Sequence, residues 1–118
     1  MSKSSLHNKV LSIIKEIYPL QIIREEEIIK INGKRLFVDI YLPKLGLMIE
    51  CDGIQHFKFN SFFHKDKWDL FHQKLRDEEK DIWCQKNNKV LVRFSYLEED
   101  LLDINYVSAK IREKIDFD

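Results

Sequence analysis

Three acidic side chains, an amide and an imidazole stand close together in the segment FVDIYLPKLGLMIECDGIQHF, residues 37–57. The other residues of this segment are mainly apolar, β-branched or aromatic, which is typical of buried strands. The polar residues are Asp39, Glu50, Asp52, Gln55 and His56. Clustered carboxylates favour a bound cation, and an imidazole titrates near neutral pH, so these residues are the candidate catalytic site.

The spacing predicts that Asp39 and Glu50 face each other across a hairpin. The sequence PKLG joins two β-rich runs, and a two-residue loop at Lys44 and Leu45 pairs residues whose numbers sum to 89. Opposed like charges are destabilising unless a cation joins them. Mg²⁺ prefers such oxygen ligands, and the backbone carbonyl of Cys51 can supply another. The alternative is a solvated sheet face, but clustering at one hairpin end favours a metal site.

The elements that must position these side chains follow from periodicity. Apolar residues at helical spacing after a run of serines predict a helix over about residues 4–18. Two β-rich runs flank Asn32-Gly33, a strong hairpin signal, and KVLVRFSY predicts a fourth strand. Segments over about residues 65–87 and 104–115 predict two further helices. The expected order is α-β-β-β-α-β-α, an α/β fold.

Side-chain periodicity also assigns faces to these elements. One face of the second strand is expected to hold Leu36, Val38, Ile40 and Leu42. Its other face is expected to hold Phe37, Asp39 and Tyr41. In the third strand, one face is expected to hold Met48, Glu50 and Asp52. The long helix is expected to pack on the sheet through Leu70, Phe71, Leu75, Ile82 and Trp83, with Trp68 also in the core.

Length and composition restrict the possible classes of protein. With 118 residues, 44% of them hydrophobic, residues 1–118 suit a single domain, either a whole protein or the catalytic part of a longer one. Lys and Arg number 20 and Asp and Glu number 20, so any site for a polyanion must be local. The chain lacks a long apolar run and a signal-peptide pattern, so a cytoplasmic location without membrane association is expected. Cys51 and Cys84 lack CxxC spacing and are expected to be reduced structural thiols.

Four segments resemble a known family: VDIYLP, IECDGIQHF, RDEEKDIWCQKNN and VLVRFSY. They resemble the PD-(D/E)XK nuclease superfamily, and more narrowly its branch related to very-short-patch-repair and phage-associated homing endonucleases. The resemblance covers about residues 4–96. It implies a restriction-endonuclease-like αβββαβ core, with a mixed central sheet flanked by helices and followed by a C-terminal helix. It also implies an endonuclease that hydrolyses double-stranded DNA with Mg²⁺, for which Mn²⁺ substitutes.

The resemblance assigns roles to the clustered residues. Asp39 is the implied metal-bridging aspartate and Glu50 the second acid, so the implied metal ligands are Asp39, Glu50 and Cys51. Many family members have a lysine two residues after the second acid, where this chain has Asp52. Gln55 or His56 is therefore expected to take over part of that role. His56 is the candidate general base, which Asp52 and Gln55 would orient.

Four further residues are possible supporting groups. His7 stands near the position where this branch often carries a glutamate on the first helix. Asp77 and Lys80 match the RD..K element and lie on one helical face, so Lys80 either reaches the scissile phosphate or forms an ordinary surface salt bridge. Glu26 either belongs to a solvated run of strand residues with Glu25 and Glu27 or approaches the acidic cluster across the first hairpin.

Two alternatives to DNA cleavage remain open at the level of sequence. The departures at His7 and Asp52 also fit a weak or inactive nuclease-like fold that binds nucleic acid or protein, and an RNA-directed nuclease is a third possibility. Acidic residues are interspersed with the basic ones on the long helix, and no base-reading motif is evident. A DNA-binding domain is therefore expected elsewhere in the full-length protein.

Overall fold

The computed structural model of the protein describes residues 4–56, 58, 65 and 67–117, without the side chains of Gln55 and Phe117. The order of its helices and strands is α1 (Ser5–Ile17), β1 (Arg24–Ile31), β2 (Lys34–Leu42), β3 (Leu47–Asp52), α2 (Lys67–Lys86), β4 (Val90–Ser95) and α3 (Ile104–Phe117). Single turns of 3-10 helix occupy Pro43–Leu45 and Ile54–His56, and a longer one occupies Tyr96–Leu101. The predicted order of helices and strands is confirmed.

The four strands form one mixed sheet in the order β1-β2-β3-β4. β1 pairs antiparallel with β2, β2 pairs antiparallel with β3, and β3 pairs parallel with β4. A parallel pair needs a long crossover connection, and α2 is part of it here. The protein is therefore an α/β fold. Among the described residues, no helix is both long enough and apolar enough to cross a bilayer.

The predicted register between β2 and β3 is confirmed, although the loop between them is longer than expected. Ile40 pairs with Ile49 and Leu42 pairs with Leu47. A 3-10 turn occupies the connection, and Gly46 closes it at φ +59°, a conformation that favours glycine. The loop therefore adds a residue on each side of the predicted two-residue turn and leaves the register unchanged.

Buried apolar residues form two clusters, one on each face of the sheet. The α1–α3 core joins those helices to the sheet and includes Val10, Ile14, Ile49, Phe94 and Ile111. The α2-side core is smaller and comprises Ile29, Ile31, Leu36, Val38, Met48, Cys84 and Leu91. Both faces of the sheet are thus covered by helices, which is why β3 is almost completely buried.

The face assignment predicted for β2 is wrong at the middle of the strand. Val38 packs in the α2-side core, whereas Ile40, two residues later, packs in the α1–α3 core. The change of face occurs at Glu26 and Asp39, which the β1–β2 ladder leaves unpaired, and Glu26 has φ +53°. Irregularities of this kind redirect side chains within a sheet. The predicted common face is therefore split, with Leu36 and Val38 on one side and Ile40 and Leu42 on the other.

The packing predicted for α2 is also wrong in part. Trp83 contacts the α2-side core and Leu70 is half-buried, but four other large apolar residues are exposed: Trp68, Phe71, Leu75 and Ile82. Trp68, expected in the core, is 63% exposed and stacks on Phe71. Within α2 the buried residues are Lys80 and Cys84. The face of α2 that carries Lys80 and Cys84 points toward the sheet, and Lys80 forms an ion pair there with Glu50, a buried acid of β3.

Substitution of Phe94 tests the packing of the α1–α3 core. This residue is fully buried near the end of β4, so Phe94→Ala should leave a cavity and lower the free energy of unfolding by about 3–5 kcal/mol. Phe37 is 54% exposed, and Phe37→Ala should change that free energy by no more than about 0.5 kcal/mol. Equilibrium urea denaturation measures both values. Equal losses in the two variants would contradict this arrangement of the core.

Candidate active site

A cleft of about 640 Å³ opens between the start of α1, the middle of the β1–β2 hairpin and α2. The predicted site residues that line it are His7, Glu26, Asp39, Glu50, Cys51, His56 and Lys80. Asp52 and Asp77 lie next to this lining, where each approaches the His56 ring. The side chain of Gln55 lies outside the described residues. The structure thus brings together nearly all of the residues that the sequence separates by up to 73 positions, from His7 to Lys80.

Asp39 is held in the gap where β2 and β3 separate. The β2–β3 ladder ends at Ile40 and Ile49, so the prediction that Asp39 and Glu50 pair across the hairpin is wrong. Instead, Asp39 Oδ2 accepts a hydrogen bond of 2.7 Å from the backbone N–H of Cys51. This bond leaves Oδ1 facing the cleft side on which His7 lies, 4.0 Å from His7 Nδ1. One carboxylate oxygen is therefore fixed and the other is directed toward α1.

His7 is positioned by the start of α1. Ser4 caps the helix, and its hydroxyl accepts a hydrogen bond of 3.1 Å from the His7 backbone N–H. The imidazole is buried, and its Nε2 lies 3.0 Å from Glu25 Oε1. The expected proximity of position 7 to the acidic cluster is thus observed. Glu25 was missed by the sequence analysis, which selected Glu26, because the irregular backbone there is not visible in strand periodicity.

Glu50 and Lys80 form a buried ion pair. Their side chains approach to 3.3 Å, and the residues are 2% and 8% exposed, respectively. Burial raises the pKa of Glu50 to about 7, because the ammonium of Lys80 only partly offsets it and the charge of Asp39 raises it further. The alternative of a surface salt bridge for Lys80 is therefore wrong. A carboxylate held in this environment gains stability from additional positive charge.

Asp52 is neutralised by a residue that the sequence analysis did not select, Arg93 of β4. The guanidinium Nη1 contacts both carboxylate oxygens of Asp52, at 3.2 and 3.3 Å. Its Nη2 donates to the backbone carbonyl of Asp77 and to the side chain of Asp81. Burial raises the pKa of Asp52, whereas Arg93 and His56 lower it. Parallel pairing of β3 with β4 brings Arg93 to this position, so its role depends on strand order rather than on a motif.

His56 is held between two carboxylates. Its Nδ1 lies 2.8 Å from Asp77 Oδ2 and 3.6 Å from Asp52 Oδ1. Burial lowers the pKa of His56, but the hydrogen bond to Asp77 and the two negative charges outweigh it, so the pKa lies above its ordinary value of 6.5. The protonated ring is therefore more stable than that of an ordinary histidine. This charge state suits His56 to stabilise negative charge or to donate a proton better than to act as a base.

The donor set suits a divalent cation at the meeting point of α1, β2 and β3. Asp39 and Glu50 line the same cleft, and the charge of Asp39 adds to the effect of burial in raising the pKa of Glu50. In addition, one ligand atom each from His7, Asp39 and Cys51 lies within 4.8 Å of the other two. Oxygen ligands of this type fit Mg²⁺ or Mn²⁺. The cleft therefore contains candidate ligands for a divalent cation beside a buried lysine.

The His56–Asp77 contact predicts a pH-dependent stability. Because the folded pKa of His56 is raised, its contribution is fully present below about pH 6.5 and is lost as pH rises through the folded value. The unfolding free energies of wild type and His56→Gln should therefore differ most at about pH 6 and least at about pH 9. Urea denaturation across this range measures the difference. His72→Gln is the control, since the His72 ring contacts Trp68 and Phe71, and a pH-independent effect of His56→Gln would contradict the assignment.

The chain is similar to three viral proteins. Uncharacterized protein 033L of Invertebrate iridescent virus 3 is 41% identical over 66 residues, which cover 56% of this chain and 34% of that protein. Uncharacterized protein 307L of Invertebrate iridescent virus 6 is 42% identical over 80 residues, which cover 67% of this chain and 41% of that protein. Uncharacterized protein 094L of Frog virus 3 (isolate Goorha) is 37% identical over 71 residues, which cover 59% of this chain and 46% of that protein.

No protein-family model matches the chain, and no solved structure gives a significant match. The aligned residues span less than half of each of these curated relatives. The chain is thus similar to one part of three longer viral proteins.

Proposed function

We propose that the protein is the catalytic domain of a metal-dependent endonuclease of the PD-(D/E)XK type, which hydrolyses phosphodiester bonds in double-stranded DNA. The observation that carries the proposal is the buried Glu50–Lys80 pair, which lines the same cleft as Asp39. Two acids and a lysine are the groups that this chemistry needs. The mixed sheet between helices is compatible with a restriction-endonuclease-like core.

Asp39, Glu50 and the backbone carbonyl of Cys51 would hold the metal ion. When bound, Mg²⁺ or Mn²⁺ supplies positive charge to the phosphate and lowers the pKa of a coordinated water. Glu50 is suited to this role because its burial makes an adjacent cation favourable, and Asp39 because one of its oxygens is fixed by the Cys51 N–H. The side chains are thus oriented before substrate binds, which is the condition for electrostatic catalysis.

Lys80 would take the role of the lysine that the family places two residues after the second acid. Asp52 occupies that position here, but its charge is matched by Arg93 and it points toward His56. Lys80 instead reaches Glu50 from α2 and borders the cleft. Its ammonium can stabilise negative charge on the phosphate in the transition state. The lysine ammonium would thus be supplied by α2 instead of by β3.

His56 would assist from the other end of the cleft as an imidazolium. Asp77 and Asp52 hold the ring in place and favour its protonated form. In this form His56 can donate a hydrogen bond to a phosphate oxygen or a proton to the leaving oxygen. We therefore revise its proposed role from base to acid or electrostatic stabiliser.

DNA recognition by a separate part of a longer protein is consistent with the composition and the comparisons. The formal net charge is zero, whereas affinity for DNA depends strongly on the number of phosphates neutralised. Arg35 and Arg76 are exposed residues of the cleft and can each contact a phosphate. The viral relatives are more than twice as long as the region that aligns with this chain. We propose that an additional DNA-binding domain lies in that further length.

The metal ligands are tested by conservative substitutions. Asp39→Asn and Glu50→Gln keep the size and one acceptor oxygen but remove the charge, so each should reduce Mg²⁺- or Mn²⁺-dependent cleavage of supercoiled plasmid at least about 100-fold. Circular dichroism checks that both variants fold. Asp116→Asn, on the exposed surface of α3, should cleave like wild type. Cleavage that persists in EDTA, or in both site variants, would refute the proposal, and folded protein without any cleavage would favour a binding module.

Lys80 is tested by separating its effect on activity from its effect on stability. Lys80→Met leaves Glu50 buried without its partner and should lower the unfolding free energy by about 3–5 kcal/mol. Its cleavage rate per folded molecule should also fall about 100-fold, because the ammonium near the phosphate is lost. Lys86→Met, at the exposed end of α2, should change neither value. A cleavage rate that falls only in proportion to the folded fraction would make Lys80 purely structural.

A further inference from the structure

We propose that His7, Asp39 and Cys51 form a second kind of metal site, which binds a thiophilic divalent transition ion of the Zn²⁺ class through an imidazole nitrogen, a carboxylate oxygen and the Cys51 thiolate. This site would share Asp39 with the proposed Mg²⁺ site, so that the two ions compete. Binding of the Zn²⁺-class ion stands on the geometry alone. The inhibition of cleavage that follows from competition rests on the proposed function.

The three ligand atoms come from three elements that meet at one point. His7 lies on α1, Asp39 on β2 and Cys51 on β3, and their ligand atoms are all within 4.8 Å of one another. Tetrahedral Zn²⁺ with bonds of about 2.0–2.3 Å places its ligand atoms roughly 3.5 Å apart. Shifts of under about 1 Å, within the range of small side-chain rotations, would therefore close the site.

The orientation of the His7 ring points to a cation between His7 and Asp39. Glu25 Oε1 is an acceptor 3.0 Å from Nε2, so in the neutral ring the proton lies on Nε2 and the lone pair on Nδ1. Nδ1 faces Asp39 Oδ1 at 4.0 Å, a distance too long for a hydrogen bond. When the His7 ring is neutral, two acceptors therefore face each other. A carboxylate that fixes one histidine nitrogen while the other binds metal is the usual arrangement of metal-ligating histidines.

Cys51 makes the site selective for a soft or borderline ion. Cys51 packs against the α1–α3 core, on the side of the sheet where His7 lies. Its thiolate and the imidazole are ligands that Zn²⁺ and Co²⁺ accept, whereas Mg²⁺ prefers oxygen. Both kinds of ion would use Asp39 Oδ1, because Oδ2 is engaged by the Cys51 N–H. A Zn²⁺-class ion held by the thiolate would thus displace Mg²⁺ from this carboxylate.

The chain contains its own control thiol. Cys84 lies in the α2-side core and contacts the sulfur of Met48 at 3.6 Å. It is on the opposite face of the sheet from His7. Substitution of Cys51 therefore removes the thiol at the proposed site, and substitution of Cys84 removes a thiol far from it as the control.

Co²⁺ is the probe, because a cobalt–thiolate bond gives a near-ultraviolet charge-transfer band. Metal-free protein titrated with Co²⁺ under reducing, oxygen-free conditions should develop this band at one equivalent, and Zn²⁺ should abolish it. Cys84→Ser should keep the band and Cys51→Ser should lose it. His7→Gln and Asp39→Asn should weaken Co²⁺ binding about 10- to 100-fold.

A second measurement needs no variant. Zn²⁺ should protect Cys51 of the wild-type protein from a thiol-alkylating reagent, as read by peptide mass spectrometry, whereas excess Mg²⁺ should not. Absence of the Co²⁺ band in wild type, its persistence in Cys51→Ser, or equal alkylation with and without Zn²⁺ would each overturn the site. Plasmid cleavage is scored separately. A protein that shows the band but never cleaves refutes the nuclease alone, and one that cleaves without the band refutes the Zn²⁺-class site alone.

Discussion

The burial of two carboxylates on one face of β3 is the constraint on which the arrangement of the α2 side depends. Glu50 and Asp52 are both buried, and an isolated buried charge is strongly destabilising unless it is paired. Each acid has its own cation from a different element, Lys80 from α2 and Arg93 from β4. The Glu50–Lys80 pair requires α2 to pack on β3, and the Asp52–Arg93 pair requires β4 to pair with β3. The two ion pairs therefore link the position of α2 on β3 with the pairing of β3 and β4.

This constraint explains why α2 does not pack as its apolar pattern suggests. The helix has an apolar stripe that includes Trp68, Leu75 and Ile82, yet those side chains are exposed. Rotating this stripe inward would carry Lys80 away from Glu50 and leave that carboxylate buried without its partner. The loss would amount to several kcal/mol, which is comparable with the gain from burying one or two apolar side chains. The observed rotation thus keeps the ion pair and leaves the apolar stripe exposed.

Local patterns predicted the parts of the fold that depend on neighbouring residues. The turn at PKLG fixed the β2–β3 register, and the clustering of Asp39, Glu50 and His56 correctly indicated that they share a cleft. Arg93 was missed because it reaches Asp52 only through the pairing of β4 with β3. Glu25 was missed because it contacts His7 at the start of α1. Periodicity along one segment does not encode contacts of either kind. The exposed stripe of α2 was misassigned for the same reason. Periodicity measures the apolar character of a face, but it contains no information about a buried charge opposite that face.

The site itself exists because β2 changes face where it separates from β3. Up to Val38 the strand packs toward α2, and from Ile40 onward it packs toward α1 and α3. Asp39, between them, belongs to neither face, and its carboxylate lies in the gap with one oxygen on the Cys51 N–H. From that position it lines the same cleft as Glu50 and Lys80 and also approaches His7 of α1. A regular strand would commit residue 39 to one face, so the irregularity at Glu26 and Asp39 is what joins two separate sets of side chains into one site.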